Sequence, residues 1–362
     1  DVLKDATTVA AKAGPGVSPA RAAEAMRMAV IEGQLGADLD PADKARMIYA
    51  LYGVRQATEA LDGLAPLLAA TPSFQSLPPE QTWRMVLDRS AWDDGRHAGL
   101  RFENEPGYMG GMYNGLTHVL KAHQQGHPLD AAMLEDVHDA ATRGVFQMRV
   151  TLRLLGEHDV QCAARRTGPE GAAGVGLAEK NCRFESGFRD LGAVTFGLHA
   201  GDNVTRAGLK EYFVNQALHP DMQRCSMAAV DEQGKRTLLR SASDWDGKRP
   251  LVLHGPALSR SQHIDKAGAI IAHYRKELPR ATTEDAKLAT IASCVQQLEQ
   301  AHLFMDGNAR TTGFLVLNKL LLENGLSPAM IADPNRFDGC STRELVQEIR
   351  QGQQAFAAHC RT

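Results

Sequence analysis

The sequence lacks the features that mark membrane-spanning and disulfide-stabilised proteins. No apolar run is long enough to cross a bilayer, and no segment joins a basic start to an apolar middle as a signal peptide does. The six cysteines are widely scattered without a CxxC pair, which favours reduced thiols over a disulfide framework or a zinc site. We therefore expect a cytoplasmic protein. Because the chain begins at Asp1 rather than at a methionine, we also expect it to be part of a longer polypeptide.

A strong charge imbalance is also absent. The 40 lysines and arginines stand against 43 aspartates and glutamates, which gives a formal net charge of −3. This balance gives no reason to expect nonspecific binding to nucleic acid or to an anionic membrane. The apolar residues make up 43% of the 362 residues, enough for one large domain or two ordinary domains with their own cores.

Residues 1–70 are rich in alanine, leucine, methionine and charged residues, a composition typical of helices. Apolar residues at helical spacing predict a helix over Arg21–Gln34, and Pro66 with the stretch Thr71–Glu80 is expected to interrupt the helical pattern. A short helix is predicted from Trp83 to Trp92. The stretch Asp93–Gly115 is rich in glycine and aromatic residues, which predicts a packed loop or the lining of a ligand groove. We place a boundary there, between an N-terminal helical region at 1–115 and a second domain at 116–362.

The second domain is predicted to be mainly helical with a small β-hairpin. Apolar spacing predicts helices over Pro128–Leu155, Ser261–Lys276, Glu284–His302, Arg310–Asn324 and Arg343–Ala357. The stretch Gly168–Gly176 lacks the lysine and hydroxyl residue of a phosphate-binding loop, so we predict a flexible loop. Part of Ser186–His199 resembles a strand. Thr237–Arg240 and Leu251–Leu253 are predicted to pair as a hairpin, with Pro250 at an edge because proline cannot donate to a ladder.

The stretch His302–Gly313, with the sequence HLFMDGNARTTG, carries the most chemical information. A histidine ends one strongly patterned helix and Arg310 opens the next, with Asp306-Gly307-Asn308 between them. Histidine suits a general base, one carboxylate with phosphate oxygens suffices for Mg²⁺, and a helix N-terminus favours phosphate. Each residue alone has a simpler interpretation, as a core histidine, a turn or a solvated arginine. Together they predict a phosphate-handling loop with a base beside it.

Two residues of this loop are predicted to face the core. Phe304 is interpreted as an apolar anchor that holds the loop down. His302 lies four residues after Leu298 and so continues the apolar stripe of the preceding helix. We therefore predict that the histidine lies along the buried edge of that helix.

The stretch HLFMDGN-A-R resembles the signature of Fic (Fido) domains, HxFx[DE]GN[GK]RxxR. The flanking stretches IASCVQQLEQAHLF and FLVLNKLLLENGLSP are similar to the helices on either side of that signature, and Phe188-Arg189 and LVLHGP are similar to earlier landmarks. The resemblance covers residues 128–362, with an atypical insert at about 156–231. It implies a mainly α fold, in which an additional N-terminal helical region precedes a helical Fic core with a small β-hairpin flap, here Leu251–Gly255.

The resemblance implies Mg²⁺-dependent transfer of AMP or UMP from ATP or UTP to a Ser, Thr or Tyr hydroxyl of a target protein. His302 would remove the hydroxyl proton, Asp306 would hold Mg²⁺, and Asn308 and Arg310 would act on the donor phosphates. The donor nucleotide would be bound by Gly307, Asn308, Ala309, Arg310, Leu253, His254 and Gly255. The flap would also pair its main chain with an extended segment of the target.

Three positions depart from the signature. Leu303 replaces a proline. Ala309 replaces glycine or lysine, which would cost roughly 1 kcal/mol if this position needs a positive φ. Gly313 replaces the second arginine, which in the family contacts the far phosphates of the donor and pairs with an inhibitory glutamate. The departures leave a different donor open, such as UTP or a CDP-linked alcohol. The stretch Met28–Gln34 resembles the inhibitory motif, except that Met28 stands where Ser or Thr is expected.

Three functions are compatible with the sequence. The first is a Fic-type protein nucleotidyltransferase that acts as a bacterial effector on a signalling protein in the cytoplasm of a host cell. The second is a binding module that keeps the Fic architecture but has lost turnover through Ala309 and Gly313. The third is a small-molecule kinase or hydrolase with a coincidental loop. Retention of the base, the carboxylate and the arginine favours the first function.

Overall fold

The computed structural model describes residues 41–97, 107–148, 177–179, 187–218 and 226–361. The fold of these residues is mainly α, as expected. Its helices are α1 (Pro41–Ala70), α2 (Tyr108–Gln124), α3 (Ala131–Thr142), α4 (Arg206–Leu218), α5 (Arg260–Glu277), α6 (Glu284–Ala301), α7 and α8 (Thr342–His359). Helix α7 consists of Asn308–Arg310, a π-helical segment over Thr311–Val316, and Leu317–Glu323. Its strands are β1 (Phe146–Met148), β2 (Leu177–Glu179), β3 (Thr195–Leu198), β4 (Ser226–Val230), β5 (Arg236–Leu238) and β6 (Leu251–His254).

Several sequence predictions concern residues outside the described ranges and remain predictions. They are the helix over Arg21–Gln34, the inhibitory-type stretch Met28–Gln34, the loop Gly168–Gly176 and parts of the insert at 156–231. The described parts of that insert contain β2, β3, α4 and β4. Among the described helices, none is long and apolar enough to cross a bilayer.

Helix α1 continues through Pro66, so the predicted interruption at this proline is wrong. The proline lies in the last part of the helix, where it removes a single backbone donor, and Leu64 and Leu68 on either side of it are buried in the core. The expected break comes after Ala70. The predicted helix over Trp83–Trp92 is replaced by two stretches of 3₁₀-helix, Pro79–Met85 and Arg89–His97.

Helix α2 contains the glycine pair that we expected in a loop. A Cβ atom at Gly111 would lie 2.2 Å from the carbonyl oxygen of Ala141 in α3, and one at Gly110 would lie 2.8 Å from the backbone of Gln56 in α1. These glycines therefore let α2 approach both neighbouring helices closely, and Tyr113 beside them is buried rather than lining an open groove. The predicted boundary between 115 and 116 falls within α2, and the division into two domains remains a prediction.

Helix α3 is shorter than the predicted helix Pro128–Leu155. It begins after Asp130, whose side chain caps the helix by accepting from the N–H of Met133. It ends at Thr142, shortly before Gly144 turns the chain with a φ of 79°. Strand β1 follows and pairs with β2 in an antiparallel two-stranded sheet.

The larger sheet differs from the predicted hairpin. Its strand order is β3-β6-β4-β5, with all neighbours antiparallel, so β5 forms a hairpin with β4 and has no pairing with β6. Strand β6 is an interior strand, and Pro250 immediately precedes it. Its carbonyl accepts from the N–H of Val230, and the reciprocal bond is missing because proline has no N–H. The pairing was missed because β4 lies in the insert, in which we predicted no strand at that position.

The four helices that follow the sheet match the sequence predictions. Helices α5, α6 and α8 begin at side-chain caps provided by Ser259, Thr283 and Ser341. Helix α7 ends before Gly325, which has a φ of 68°, the left-handed turn predicted for a glycine after a helix. The buried apolar residues form two clusters, a large one among the helices and a smaller one under the four-stranded sheet. The catalytic loop candidate, 302–308, joins α6 to α7.

Candidate active site

His302 is the C-cap of α6 and adopts a left-handed conformation, with φ 46° and ψ 58°. Among the described residues it is the only one besides glycine with a positive φ. This conformation costs a residue with a side chain about 1–2 kcal/mol, and strain of this kind is common at functional sites. His302 therefore leaves the helical register of the apolar stripe, whereas the predicted burial of its side chain is confirmed by the buried Nδ1 atom.

The imidazole of His302 stacks on a ring of the sheet. The ring centroids of His302 and Phe196 in β3 are 4.4 Å apart, and the two planes differ by 13°. The Nδ1 atom is buried and has no hydrogen-bond partner. Burial lowers the pKa of His302 to about 4, although the nearby carboxylate of Asp306 opposes this shift. The ring is thus neutral near pH 7 and able to accept a proton, as a general base must.

Phe304 holds the loop in the core, as predicted. Its side chain is fully buried between two rings, with centroid distances of 3.8 Å to His138 and 5.0 Å to Phe188. All three rings are nearly parallel. Phe188 belongs to the short Phe188-Arg189 landmark of the sequence, so the landmark and the loop are in contact.

His138 of α3 is a site residue that the sequence analysis missed. Its Nδ1 accepts from the N–H of Gly187 at 3.1 Å, so its Nε2 carries the hydrogen and donates to the main-chain oxygen of Asp306 at 2.9 Å. Burial lowers its pKa to about 4, which keeps the ring neutral in this role. His138 lies four residues after Leu134 on a buried helix face, a pattern that a core histidine shares. No local signal therefore distinguished it.

Asn308 fastens the two ends of the loop to each other. Its Oδ1 accepts from the N–H of Phe304 at 2.9 Å, and its Nδ2 donates to the carbonyl oxygen of the same residue at 2.8 Å. The side chain is 4% exposed and both of its polar atoms are engaged. The expected role of Asn308 at the donor phosphates remains a prediction. These two bonds close the loop between its left-handed residues, His302 with a φ of 46° and Gly307 with a φ of 72°.

The start of α7 provides backbone donors for an anion. The first intrahelical bond runs from the N–H of Thr311 to the oxygen of Gly307, so the N–H groups of Asn308, Ala309 and Arg310 precede the helical ladder. Ala309 is helical and has no positive φ, so the strain considered for this position does not arise. Together with the helix dipole, these donors favour a phosphate group.

Arg310 is placed by two partners from the N-terminal half of the described chain. Its guanidinium lies 3.8 Å from the carboxylate of Asp88 and 5.6 Å from the ring centroid of Tyr108. The side chains of Arg310 and Asp88 are 15% and 14% exposed. The guanidinium of Arg310 is therefore partly exposed, and the carboxylate of Asp88 neutralises part of its charge.

Asp306 is the residue of the loop that fits a magnesium ion. Its Oδ1 accepts from the N–H of Gly307 at 2.7 Å, which orients the carboxylate beside the start of α7. The described residues contain no group of three His, Cys, Asp or Glu side chains that could hold a metal by themselves. Mg²⁺ commonly uses one or two carboxylates with phosphate oxygens and water, so a single aspartate fits an ion that arrives with a phosphorylated donor.

The flap residues are placed differently from what we predicted. Strand β6 pairs on one side with β3 and on the other with β4, so Leu251–His254 has no free edge for a target segment. The expectation of main-chain pairing at these residues is therefore wrong. The side chain of Leu253 is fully buried in the sheet cluster and unable to contact a donor in this arrangement.

The other two flap residues are also engaged with the sheet. The Nδ1 atom of His254 lies 3.0 Å from the hydroxyl of Thr195 and its Nε2 lies 3.4 Å from Arg236. The N–H of Gly255 donates to the oxygen of Val194. The sheet instead contacts the loop through Phe196 of β3, which the sequence analysis did not single out. Donor binding by His254 and Gly255 remains a prediction.

Gly313 has no room for a side chain. A Cβ atom at this position would lie 2.7 Å from the Cβ and 3.1 Å from the Cα of Pro334. The arginine expected here from the Fic signature is therefore excluded unless Pro334 moves. The position lies inside the π-helical segment of α7, a type of winding often found at functional sites.

These features define a class of site: a mainly α core in which a loop between two helices presents a neutral histidine, a carboxylate and a helix N-terminus with an arginine. No protein-family model matches the chain. The chain is 40% identical over 293 residues to the phosphocholine transferase AnkX of Legionella pneumophila. The match covers 80% of this chain but only 29% of the relative, so the chain spans less than a third of that protein. This relationship supports the resemblance to the Fic family.

Proposed function

We propose that this protein transfers a phosphoalcohol group, of the phosphocholine type, from a CDP-linked alcohol to a hydroxyl of a target protein. The printed name of the relative supports this donor class, which the sequence left open as an alternative. Transfer of AMP or UMP from ATP or UTP, our leading expectation from the signature, finds no support in the comparison. The relative belongs to a bacterium, so we further propose an effector that modifies a host protein in the host cytoplasm.

The observation that carries the donor assignment is the limited positive charge beside the loop. Pro334 excludes a side chain at Gly313, and Arg310 shares its charge with Asp88. A CDP-alcohol is a diphosphate diester and carries fewer negative charges than a nucleoside triphosphate. It therefore needs fewer cations.

Each residue of the loop has its own role in the proposed reaction. The oxygen of the target hydroxyl attacks the phosphorus that carries the alcohol, His302 takes the hydroxyl proton, and the bond from this phosphorus to the CMP oxygen breaks. The N–H groups at the start of α7 and Arg310 stabilise the negative charge of the phosphoryl group and of the departing CMP. Bound at Asp306, Mg²⁺ would neutralise charge on the donor phosphates. His138 and Asn308 hold the loop in shape.

The first test is mass spectrometry of the protein incubated with Mg²⁺ and either CDP-choline or one of the four nucleoside triphosphates, alone and with host-cell cytosol. We expect an adduct with the mass of phosphocholine on the protein itself or on a cytosolic protein, with release of CMP. His302→Ala should abolish the adduct and leave calorimetric binding of CDP-choline nearly unchanged, because the base acts only in the chemical step. His118→Ala, at a partly exposed position of α2, is the matched control and should retain transfer.

Other results would contradict the proposal in distinct ways. An adduct of a nucleoside monophosphate would restore the AMP or UMP interpretation. Donor binding without transfer in every condition would favour the binding module. Asp306→Ala should weaken the affinity for CDP-choline in the presence of Mg²⁺ but not in its absence. If the wild type and Asp306→Ala bind CDP-choline equally well in the presence of Mg²⁺, Asp306 is not the metal ligand.

A further inference from the structure

Two carboxyl groups lie buried behind the loop, and the reaction described above does not use them. Glu299 is on the last turn of α6, three residues before His302, and is 1% exposed. Asp338 ends the 3₁₀-helix Pro334–Asp338 and is 6% exposed. Burying two carboxylates side by side is unfavourable, so the pair needs a physical explanation.

The two carboxyl groups lie close enough for each to alter the pKa of the other, and Nε2 of Gln300, the residue after Glu299, donates to the main-chain oxygen of Asp338 at 2.9 Å. A bond between two carboxyl groups requires a proton on one of them, because two carboxylates offer only acceptors. Each group also accepts from a neighbour: the Thr312 hydroxyl donates to Oε2 of Glu299 at 2.7 Å, and Nδ2 of Asn203 donates to Oδ2 of Asp338 at 2.8 Å. The pair is therefore satisfied when it holds a single proton.

The surroundings keep that proton in place near neutral pH. Burial raises the pKa of Glu299 to about 7 and raises that of Asp338 well above its usual value, where the charge of Glu299 contributes. Two other charged groups face the pair. Arg310 lowers the pKa of Glu299, and Asp333 raises that of Asp338.

The Glu299–Asp338 pair is connected both to the backbone of His302 and to the strand that packs on its ring. On one side, the backbone oxygen of Glu299 accepts from the N–H of His302 at 2.9 Å. On the other side, Asn203 links Asp338 to β3, since its Nδ2 lies 3.3 Å from the oxygen of Gly197 and its Oδ1 accepts from the N–H of His199 at 2.7 Å. These bonds hold the strand whose Phe196 stacks on the imidazole.

We propose that the Glu299–Asp338 pair is a positioning element for His302, in which one shared proton holds β3 against α6 and so keeps Phe196 on the imidazole. The inference rests on the proposed function, since it assumes that His302 is the base. Loss of the shared proton places two negative charges side by side, which separates β3 from the end of α6. The transfer rate therefore falls at alkaline pH although the neutral base remains available.

The test compares Asp338→Asn with Asp338→Leu in the whole chain. The amide of Asp338→Asn can donate to Glu299 and accept from Asn203 at any pH, so this variant should keep kcat at pH 7 within about twofold and lose the alkaline fall. Asp338→Leu leaves Glu299 and Asn203 without their partner and should lower kcat at least about tenfold, with the KM for the donor changed far less. Asp265→Asn, an exposed change of the same kind in α5, should show the alkaline fall of the wild type.

An alkaline fall of kcat in Asp338→Asn equal to that of the wild type would overturn the inference, and so would a rate loss in Asp338→Leu that appears only in KM. Thermal unfolding provides a readout that needs no activity. A carboxyl whose pKa is raised by folding contributes stability that is present at low pH and is lost as the pH rises through the raised value.

The melting temperature of the wild type, relative to Asp338→Asn, should therefore fall between about pH 5 and about pH 8. A constant difference would also overturn the inference, even where Asp338→Leu does not fold. If no donor yields transfer by the wild type, the proposed function fails, while the melting comparison still decides whether the pair shares a proton.

Discussion

At the scale of single residues, Gly313 limits the positive charge of the site, because it stands where the Fic signature has its second arginine. The structure excludes a side chain here because the nearest atoms belong to the backbone and ring of Pro334, neither of which moves freely. The packing around position 313 therefore requires a glycine. An arginine introduced there alone would clash with Pro334. The proposed donor, a CDP-linked alcohol, is one that can bind without this arginine.

We predict that Gly313→Ala destabilises the protein by about 1–3 kcal/mol, because the methyl group overlaps Pro334. Gly268→Ala in the middle of α5 is the matched control, since a Cβ there meets nothing within 4 Å. The control should stabilise the protein by about 0.5–1 kcal/mol, as alanine is the better helix former. Urea unfolding of both variants measures the two effects. A Gly313→Ala variant as stable as the wild type would remove the packing basis of the donor assignment.

The sequence singled out candidate reactive residues in the loop, whose roles remain predictions, but missed most of the residues that hold the loop. His302, Asp306 and Arg310 were recognisable because they follow one another in a patterned loop, and Phe304 because it is apolar there. His138 was missed since its partners, Gly187 and Asp306, are distant in sequence. The two hydrogen bonds of Asn308 depend on the turn itself and are not visible in a one-dimensional pattern.

At the scale of elements, helices were predictable and strand pairing was not. Helices α5, α6 and α8 carry their own signals, an N-cap and apolar residues at helical spacing. The sheet depends on partners far apart in the chain, since β6 pairs with β3 and β4 from within the insert. A short apolar run such as Leu251–Leu253 indicates a strand but not which neighbours it will have.

We predict that Val252→Pro disrupts the four-stranded sheet while Leu238→Pro is tolerated. Val252 lies opposite Ala228, and the bond from Val230 to the oxygen of Pro250 places the N–H of Val252 in the ladder with β4. Its replacement should cost about 3 kcal/mol or more. Leu239 donates to Met227, so the N–H of the preceding Leu238 faces away from β4, at the edge of the sheet.

Urea unfolding of the two proline variants provides the measurement. Equal losses of stability in both would mean that β6 is not an interior strand. The transfer rate should follow the same order, because the sheet carries Phe196.

At the scale of the whole molecule, the junction between the sheet cluster and the helical cluster is held by polar and backbone contacts. Val204 pairs with Gly339, the Thr205 hydroxyl donates to Glu344 at 2.7 Å, and the N–H of Thr342 donates to Glu211 at 2.9 Å. Helix α4 approaches so closely that a Cβ on Gly208 would lie 2.0 Å from the carbonyl oxygen of Gly339. The site depends on this junction because Phe196 and His302 lie on opposite sides of it.

We predict that Gly208→Ala lowers stability by at least about 1–3 kcal/mol and lowers kcat more than donor affinity. The methyl group would push α4 from the backbone of Gly339 and displace the sheet that supports His302. Gly192→Ala is the control, since a Cβ there meets nothing within 4 Å and its φ is not positive, so we expect a change within about 0.5 kcal/mol. Thermal unfolding and steady-state kinetics together check the prediction. An unaltered kcat in Gly208→Ala would mean that catalysis does not depend on this junction.

The π-helical segment Thr311–Val316 gives the chain one way to change during evolution. A π turn holds an extra residue relative to an α turn, so loss of one residue there would restore regular winding. The residues beyond the deletion would keep their positions around the helix axis, and Leu317, Leu320 and Leu321, which are fully buried, would stay in the core. Only the residues within the segment would be redirected, among them Gly313 beside Pro334. The loss of one residue would therefore reshape the site and preserve the packing of the helix that follows.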